Sequence, residues 1–384
     1  MTGRPIGAWR LTWAVVRREW RRLLATPRLW VLAVAAPLVL IILLLAIFAQ
    51  PAARNLPLAV VNMDHSSLSR QIERALEAAP ALDVVSASGG LIAAAASLRR
   101  GEVYALVVIP RDLQRDLARG ESPRVQLFYN SQTMTAGNMV LAAVRQTLAT
   151  VSAGAGIQLG VMPQLTPELH AAFNPGLDYG RFLLMALVLT LLHIVSVVLA
   201  IDVVGRELLE GTAAEWLGTA NDRFWPALAG KLLPWMAGLA LYGGLLLLVC
   251  MRWLGLAAEG GVGLWMLAWA LLLAAGFGLG LVLVAVTLNL RLSTSAASVL
   301  VSPAFAYSGV TFPLLAMPGF ASLWSLLLPL HHGLVLQTHH LLMGAPLKAG
   351  VWHFAALIAF ALLPLPLLPR LGRACRNPAR WGAA

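Results

Sequence analysis

Long stretches without a charged residue dominate this sequence. They span residues 29–50, 182–201, 232–251, 260–290, 292–347 and 349–369. A helix needs about 20 apolar residues to cross the roughly 30 Å hydrocarbon core of a bilayer, so each stretch is long enough for a crossing. Because 59% of the residues are apolar and only 12% are charged, a soluble globule of this composition could not cover its own surface. The chain is predicted to be a polytopic α-helical membrane protein.

The positive charge lies at the two ends of the chain. Residues 1–28 carry seven Arg and one Glu, and residues 370–384 carry four Arg and no acid. Arginine-rich flanks of this kind stay on the cytoplasmic side, and six spans keep both ends there. No basic stripe with interleaved aromatic residues runs through a folded domain, so the net charge of +11 does not indicate nucleic-acid binding.

The stretch 292–347 is long enough for two crossings, but a seventh crossing would send the C-terminal arginines outside. We therefore predict one span at about 294–317, followed by a re-entrant or interfacial hairpin at 319–346. This hairpin follows Pro318 and contains Pro329 and several glycines. Broken helix is tolerated at membrane depth where protein or water satisfies the freed backbone groups.

Residues 1–28 are predicted to form an amphipathic helix on the inner leaflet. Apolar side chains recur there at helical spacing, with the arginines largely on the other side. The alternative is an extended basic flank that only sets topology. The apolar run at 29–50 is too long, and too far along the chain, for a signal peptide, so we expect an uncleaved first span.

Residues 51–178 alternate between strand and helix patterns. Strands are predicted at 56–64, 82–86, 103–109 and 124–129, with helices at 66–79, 91–100, 111–119 and 135–159. This alternation predicts a periplasmic α/β domain between the first and second spans. Asp64 and His65 follow the first strand, where α/β sites often form. No nucleophile, metal-ligand set or phosphate loop accompanies them in the sequence, so Asp64 is predicted to form a turn and helix cap.

The segment 205–226 connects the second and third spans. It places Glu207, Glu210 and Glu215 beside Trp216 on a short amphipathic helix. An acidic, aromatic helix at the inner face suits docking into a groove of a cytoplasmic partner. The alternative is a solvated loop.

Five sequence pieces together resemble a known family. They are VNMDHSSLSRQI (61–72), RRGEVYALVVIP (99–110), FNP (173–175), RELLEGTAAEWL (206–217) and SPAFAYSGVTFPLLAMP (302–318). In this order the pieces resemble the permease subunit of type 2 ABC exporters, in the subgroup with a large external domain after the first span. The resemblance covers essentially the whole chain. It implies two permeases, a second copy or a close homologue, and two separate ATPase subunits in a bacterial inner membrane.

The resemblance also implies roles for individual residues. The loop after the second span would form the coupling helix seated on the ATPase, through Glu207, Glu210, Gly211, Thr212, Glu215 and Trp216. The SG-x-x-FP element would turn the fifth span into the hairpin near the exit, through Ser308, Gly309, Phe312 and Pro313. The family's hairpin usually carries a basic residue where this chain has two histidine pairs, at 331–332 and 339–340, whose role stays open.

Polar positions inside the spans are candidates for a substrate pathway. His193 lies in the second span, and intramembrane ionisable groups are often functional. A neutral histidine hydrogen-bonded between helices is the alternative. Ser298 and Ser302 suit either close packing or a pathway wall. The histidine pairs have no Cys, Asp or Glu nearby in the sequence, and no metal site is predicted.

The energy for transport must come from another subunit. The Gly-Lys pair at 230–231 lacks the upstream glycine of a phosphate loop and is followed by Leu. The chain is therefore predicted to be a non-enzymatic permease without a cofactor, with ATP bound by its partner. An amphipathic or drug-like substrate is favoured because the pathway walls are apolar, and a periplasmic adaptor and lipid contacts are left open.

Two hypotheses from other classes are less favoured. An intramembrane serine hydrolase would use Ser308 and a membrane histidine. A rhomboid-like protease would also need glycine at 306, where this chain has Ala306. A sensor would need a cytoplasmic output domain, and the inner segments are too short for one.

Overall fold

The computed structural model describes residues 7–26, 31–47, 55–86, 90–121, 123–129, 134–159, 179–255, 261–312, 314–377 and 379. The chain forms two compact units, Met1–Ala49 with Tyr179–Ala384, and Gln50–Asp178. Each unit is described by itself. The FNP piece at 173–175 and Pro313 lie outside the described residues.

Helix α1 (Ala8–Ala25) is amphipathic, as the arginine and tryptophan spacing predicts. Leu11 and Val15 are buried against the rest of its unit, while Trp9 and Trp13 are exposed and stack with ring centroids 5.9 Å apart. The segment is therefore a helix and not an extended flank. A π-helical turn (Val31–Ala35) then leads into the apolar helix α2 (Ala36–Ile47).

The second unit is an α/β layer whose strands lie within the predicted segments. Its elements are β1 (Leu56–Asn62), α3 (Ser67–Glu77), β2 (Leu82–Ser86), α4 (Gly90–Arg100), β3 (Ala105–Ile109), α5 (Leu113–Ala118), β4 (Gln126–Tyr129) and α6 (Met134–Leu159). The strand order is β2-β1-β3-β4, in which β1 is parallel to β2 and β3, and β4 is antiparallel to β3. Since β1 and β3 are central, their side chains are buried on both faces, which explains their uninterrupted apolar sequences.

The turn after β1 is held by local hydrogen bonds. The Asp64 amide donates to Asn62 Oδ1 at 3.0 Å, and the Asp64 carboxylate accepts from Ser66 Oγ. Ser66 caps α3 by accepting from the Ser69 amide at 3.1 Å. Asp64 thus belongs to the turn and cap, as predicted.

The remaining helices belong to the first unit. They are α7 (Tyr179–Leu209), α8 (Ala213–Thr219), α9 (Phe224–Trp253), α10 (Val262–Thr287), α11 (Leu290–Val301), α12 (Gly319–Leu326), α13 (Pro329–Leu336), α14 (Val351–Leu362) and α15 (Leu368–Cys375). Within the described residues, α7, α9 and α10 are long and apolar enough to cross a membrane, and α2 and α14 are shorter apolar helices. These features are consistent with a polytopic membrane protein.

The segment predicted as the fifth span, at about 294–317, is not one continuous α-helix. Helix α11 ends at Val301 and is followed by a 3-10 turn (Ser302–Phe305). Pro303 lacks the amide hydrogen that would continue the helix, and Gly309 has a φ of +89°. Further on, α12 meets Pro329–Leu342 at 80°, the geometry of a broken span or a re-entrant loop.

Helix α10 packs closely on two sides through glycine. A Cβ on Gly276 would overlap Ser196 Oγ of α7, and a Cβ on Gly280 would lie 2.6 Å from the Val197 carbonyl oxygen. On the other side, a Cβ on Gly278 would overlap the carbonyl oxygen of Phe360 in α14. Gly276, Gly278 and Gly280 therefore serve close helix packing.

The substitution Gly276→Ala tests this packing. We expect it to destabilise the solubilised protein by about 1–3 kcal/mol, because the added methyl group overpacks the α7–α10 contact. Thermal unfolding in detergent measures the change. Adding Ser196→Ala should restore part of the loss, since the nearest remaining atoms would lie 3.1 Å away. Gly263→Ala on the same helix has open space, and an equal loss there would contradict the interpretation.

Candidate functional site

The segment 205–226 folds into a tight helical connection between α7 and α9. Gly211 has a φ of +70°, which lets the chain reverse after α7. The short helix α8 then buries Ala213, Trp216 and Leu217 and exposes Ala214 and Glu215. The segment is therefore an ordered amphipathic element and not a solvated loop.

Trp216 fixes α8 against the start of α9. Its side chain is fully buried, and its indole Nε1 donates a hydrogen bond to the Ala227 carbonyl oxygen at 3.2 Å. The ring of Phe224 meets it edge-on with centroids 6.4 Å apart. A buried indole with its N–H satisfied is a rigid anchor.

Five charged side chains form what we call the buried ion cluster: Arg18, Glu19, Arg22, Glu207 and Lys231. Glu207 lies at its centre and is fully buried. Its carboxylate accepts from Arg18 Nη1 at 2.8 Å, from Lys231 Nζ at 2.7 Å and from Thr212 Oγ1 at 2.6 Å, and Arg22 adds a further contact.

Lys231 is the second buried charge of the cluster. Its Nζ donates to Glu19 Oε1 at 2.8 Å as well as to Glu207, and it lies 5.2 Å from the ring centroid of Trp216, which adds a cation–π contact. Buried charges are tolerated when each is paired and hydrogen-bonded, and both conditions hold here.

The buried ion cluster joins α1, α7 and α9 at one point. Gly230, next to Lys231, makes this possible because a Cβ there would lie 2.7 Å from Val15 Cβ of α1. The absence of a side chain lets α1 approach α9 closely enough for Glu19 to reach Lys231. Thr212 and Trp216 connect α8 to the same cluster, so the position of α8 is fixed relative to α1, α7 and α9.

The six predicted coupling residues divide into two groups. Glu207 and Trp216 are buried, and Thr212 is half-buried with its hydroxyl on Glu207. Glu210, Gly211 and Glu215 are exposed. Direct contact with another protein is open to the second group, while the first group holds the helix in place.

Most of the buried ion cluster was not predicted from the sequence. Lys231 stands alone in an apolar helix, and an isolated lysine there is the signal that could have indicated a buried acidic partner. The identity of that partner could not be predicted from the sequence, because Glu19 and Lys231 are 212 positions apart.

The predicted pathway residues that the structure describes lie in different surroundings. His193 is buried at the α7–α10 contact, and its Nδ1 has no hydrogen-bond partner among the described residues. Ser298 is exposed on α11, and Ser302 is exposed at the start of the 3-10 turn that follows it. Phe312 is exposed and Gly309 is half-buried in the following turn.

Ser308 is not arranged as a nucleophile. It is buried, and its Oγ donates to the Phe305 carbonyl oxygen at 2.6 Å. His331 Nδ1 lies 2.8 Å from the backbone carbonyl oxygen of Ser308 and so does not pair with the hydroxyl. A serine hydrolase needs a base hydrogen-bonded to the nucleophile, so this geometry does not favour the hydrolase.

An apolar cavity of about 320 Å³ lies beside the buried ion cluster. Aromatic and aliphatic side chains of α1, α7 and α9 line it, among them Trp20, Leu23, Leu199, Trp235 and Tyr242. Glu19 is the charged residue in its wall. A mostly apolar cavity with a polar edge suits an amphipathic ligand or a lipid chain.

Removing the charge of Glu207 tests the buried ion cluster. Glu207→Gln leaves Lys231, Arg18 and Arg22 short of a counter-charge in a buried site, so we expect a loss of about 3–5 kcal/mol of stability. Thermal unfolding of the solubilised protein measures it. The double variant Glu207→Gln with Lys231→Met should recover part of the loss. Glu215→Gln, which is exposed, should change stability by less than about 0.5 kcal/mol, and a similar loss in both single variants would contradict the role of Glu207.

Comparison with known proteins shows the family of this chain. The family model described as "ABC-2 family transporter protein" matches residues 27–368. The chain is 24% identical over 257 residues to the "Probable multidrug ABC transporter permease YbhS" of Escherichia coli strain K12, and equally to that of Escherichia coli O157:H7. Each match covers 64% of this chain and 64% of the relative. No solved structure matches the chain. Because the family model spans most of its length, the chain belongs to the ABC-2 family of transporter proteins.

Proposed function

We propose that this chain is the transmembrane permease subunit of an ATP-driven exporter. It moves an amphipathic or drug-like substrate out across a bacterial inner membrane, as a dimer with separate ATPase subunits. ATP is bound by those subunits, and the permease itself needs no cofactor. Membership of the ABC-2 family and the similarity to a probable multidrug permease support this proposal.

The observation that carries the proposal is the mounting of α8. Its outer side exposes Glu215, and the turns before and after it expose Glu210 and Asp222. Its inner side is fixed by Trp216 and by the buried ion cluster. The exposed acidic residues fit a basic groove on an ATPase. Because α8 is held rigidly by its neighbours, a movement of that groove is transmitted to the other helices.

The packing of the helices determines which of them move together with α8. Because α8 is tied to α1, α7 and α9 through the cluster, these helices move together when the ATPase pair closes. Helix α10 moves with α7 because Gly276 and Gly280 pack against it, and α14 moves with α10 because of the contact at Gly278. Tightly packed interfaces of this kind move as rigid bodies.

The proposed topology has six crossings. The regions of α2, α7, α9, α10, α11 with its following turn, and α14 cross the membrane, and α12 with α13 forms the outer hairpin. The α/β unit lies on the periplasmic side, and both termini are cytoplasmic. The positive charge of residues 1–28 and 370–384 supports this orientation.

The second permease copy is proposed to contact the outer face of α11. Leu292 and Val299 are exposed there next to Ser298 and Ser302. Apolar side chains interleaved with small hydroxyl groups suit helix contact in lipid. The substrate pathway then lies between the two copies.

Charge reversal at Glu215 tests ATPase docking. Glu215→Arg should lower the amount of ATPase that co-purifies with the solubilised permease by about tenfold, because a like charge opposite a basic groove costs more than about 1 kcal/mol. Glu210→Arg should act in the same direction but also disturbs the ion pair with Arg22, so Glu215 is the cleaner site. The permease amount and its thermal midpoint are measured alongside.

Asp83→Arg is the matched control, since Asp83 is exposed on β2 of the α/β unit. It should leave ATPase recovery unchanged. Full recovery of the ATPase with both Glu215→Arg and Glu210→Arg, in folded permease, would reject the docking surface.

A cysteine on α11 tests the dimer. Ser298→Cys should form cross-linked dimers in membranes treated with a short thiol cross-linker, because the proposed contact pairs this position with its copy. The native thiols should stay silent: Cys250 is buried, and burial raises the pKa of the Cys375 thiol to about 12. Ala355→Cys on the exposed side of α14 is the control. Cross-linking through Ala355 and none through Ser298 would place the contact elsewhere.

A further inference from the structure

Three histidines from two helices converge beside the turn that follows α11. His331 and His332 lie on α13 and His353 lies on α14. One ring nitrogen of each lies within 4.8 Å of the others. The ring centroids are 5.1 Å apart for His331 and His332, 5.1 Å for His332 and His353, and 5.7 Å for His331 and His353.

Backbone carbonyl oxygens fix the protonation of two of these rings. His332 Nε2 lies 2.9 Å from the Leu326 carbonyl oxygen. A carbonyl oxygen only accepts, so Nε2 carries the hydrogen and the lone pair of the neutral ring is on Nδ1. His331 Nδ1 lies 2.8 Å from the Ser308 carbonyl oxygen, so its lone pair is on Nε2. Metal-binding histidines are usually oriented by a carbonyl in this way.

The third ring faces the lone pair of the second. His353 Nδ1 lies 2.9 Å from His332 Nδ1. Either a hydrogen of His353 bridges the two nitrogens, or both lone pairs bind one cation. Two nitrogens on a tetrahedral zinc ion, with Zn–N bonds of about 2.0–2.1 Å, are about 3.3 Å apart. A shift of a few tenths of an ångström therefore converts the observed contact into a shared ligand pair.

The surroundings favour neutral imidazole rings. His331 and His332 are almost fully buried, and placing positive charges on adjacent buried rings is unfavourable. Neutral imidazole is the form that binds metal. His339 is the next ring, with its centroid 6.3 Å from that of His353, and its buried Nδ1 has no hydrogen-bond partner among the described residues.

We propose that His331, His332 and His353 bind a divalent transition metal ion, with zinc as the fitting representative. Three imidazole nitrogens make a tetrahedral site whose fourth position is open to water or to His339. A bound ion would tie α13 to α14 and, through the Ser308 carbonyl, to the turn at Gly309. This inference rests on the histidine contacts alone and does not depend on the proposed transport function.

Zinc binding to the purified full chain tests the proposal. The protein is produced with an affinity tag that contains no histidine, stripped with a chelator and titrated with ZnCl₂ in detergent by calorimetry and elemental analysis. We expect one zinc ion per chain and a rise in the thermal midpoint that the chelator reverses. His332→Gln and His353→Gln should each weaken zinc binding by at least about tenfold.

Two variants that each remove a histidine outside the three-histidine group serve as controls. His340→Gln is the buried control, since His340 Nδ1 contacts the Ala345 carbonyl oxygen instead of the three-histidine group. His65→Gln is the surface control. Both should bind zinc like the unmodified chain.

Three outcomes would overturn the proposal. Less than one zinc ion per chain, or unchanged affinity in both His332→Gln and His353→Gln, would refute the site. If the buried His332 variant does not fold, the half-buried His353 variant decides. Cobalt gives an independent spectroscopic measurement: intense visible bands indicate the tetrahedral site, and the weak bands of six-coordinate cobalt would contradict it.

Discussion

The contact between Glu207 and Lys231 is the interaction on which the rest of the first unit depends. Two opposite charges are removed from solvent at a distance of 2.7 Å, and removing either one leaves the other short of a counter-charge in a buried site. Around this pair, Arg18, Arg22 and Glu19 form further ion pairs. The pair thereby fixes where the amphipathic helix α1 lies relative to α7 and α9, and it gives α8 a firm base.

A second constraint is the close packing of α10. The glycines at 276 and 280 let α7 approach α10 closely, and the glycine at 278 lets α14 approach from the opposite side. In lipid, where apolar burial drives helix association only weakly, such close backbone contacts supply the attraction. The same contacts bury His193 next to Ser196, so the histidine that looked like a pathway group lies in a packed helix contact.

Much of this architecture was predictable, because it depends on local patterns. The length of the apolar stretches predicted the long helices, and the alternation of strand and helix patterns predicted the strands of the α/β unit. The rest depends on pairs far apart in sequence. Glu207 was predicted to face a partner and instead faces Lys231. His353 was overlooked as a possible ligand because its neighbours, His331 and His332, belong to another helix.

The division of acidic side chains around α8 has a consequence for ionic strength. Interactions between exposed charges are screened over about 8 Å at physiological salt, whereas buried pairs are screened much less. The contacts of Glu207 therefore persist in concentrated electrolyte, while Glu210 and Glu215 are open to counter-ions. If the ATPase binds the exposed glutamates as proposed, high salt would detach it while the helix bundle stays folded.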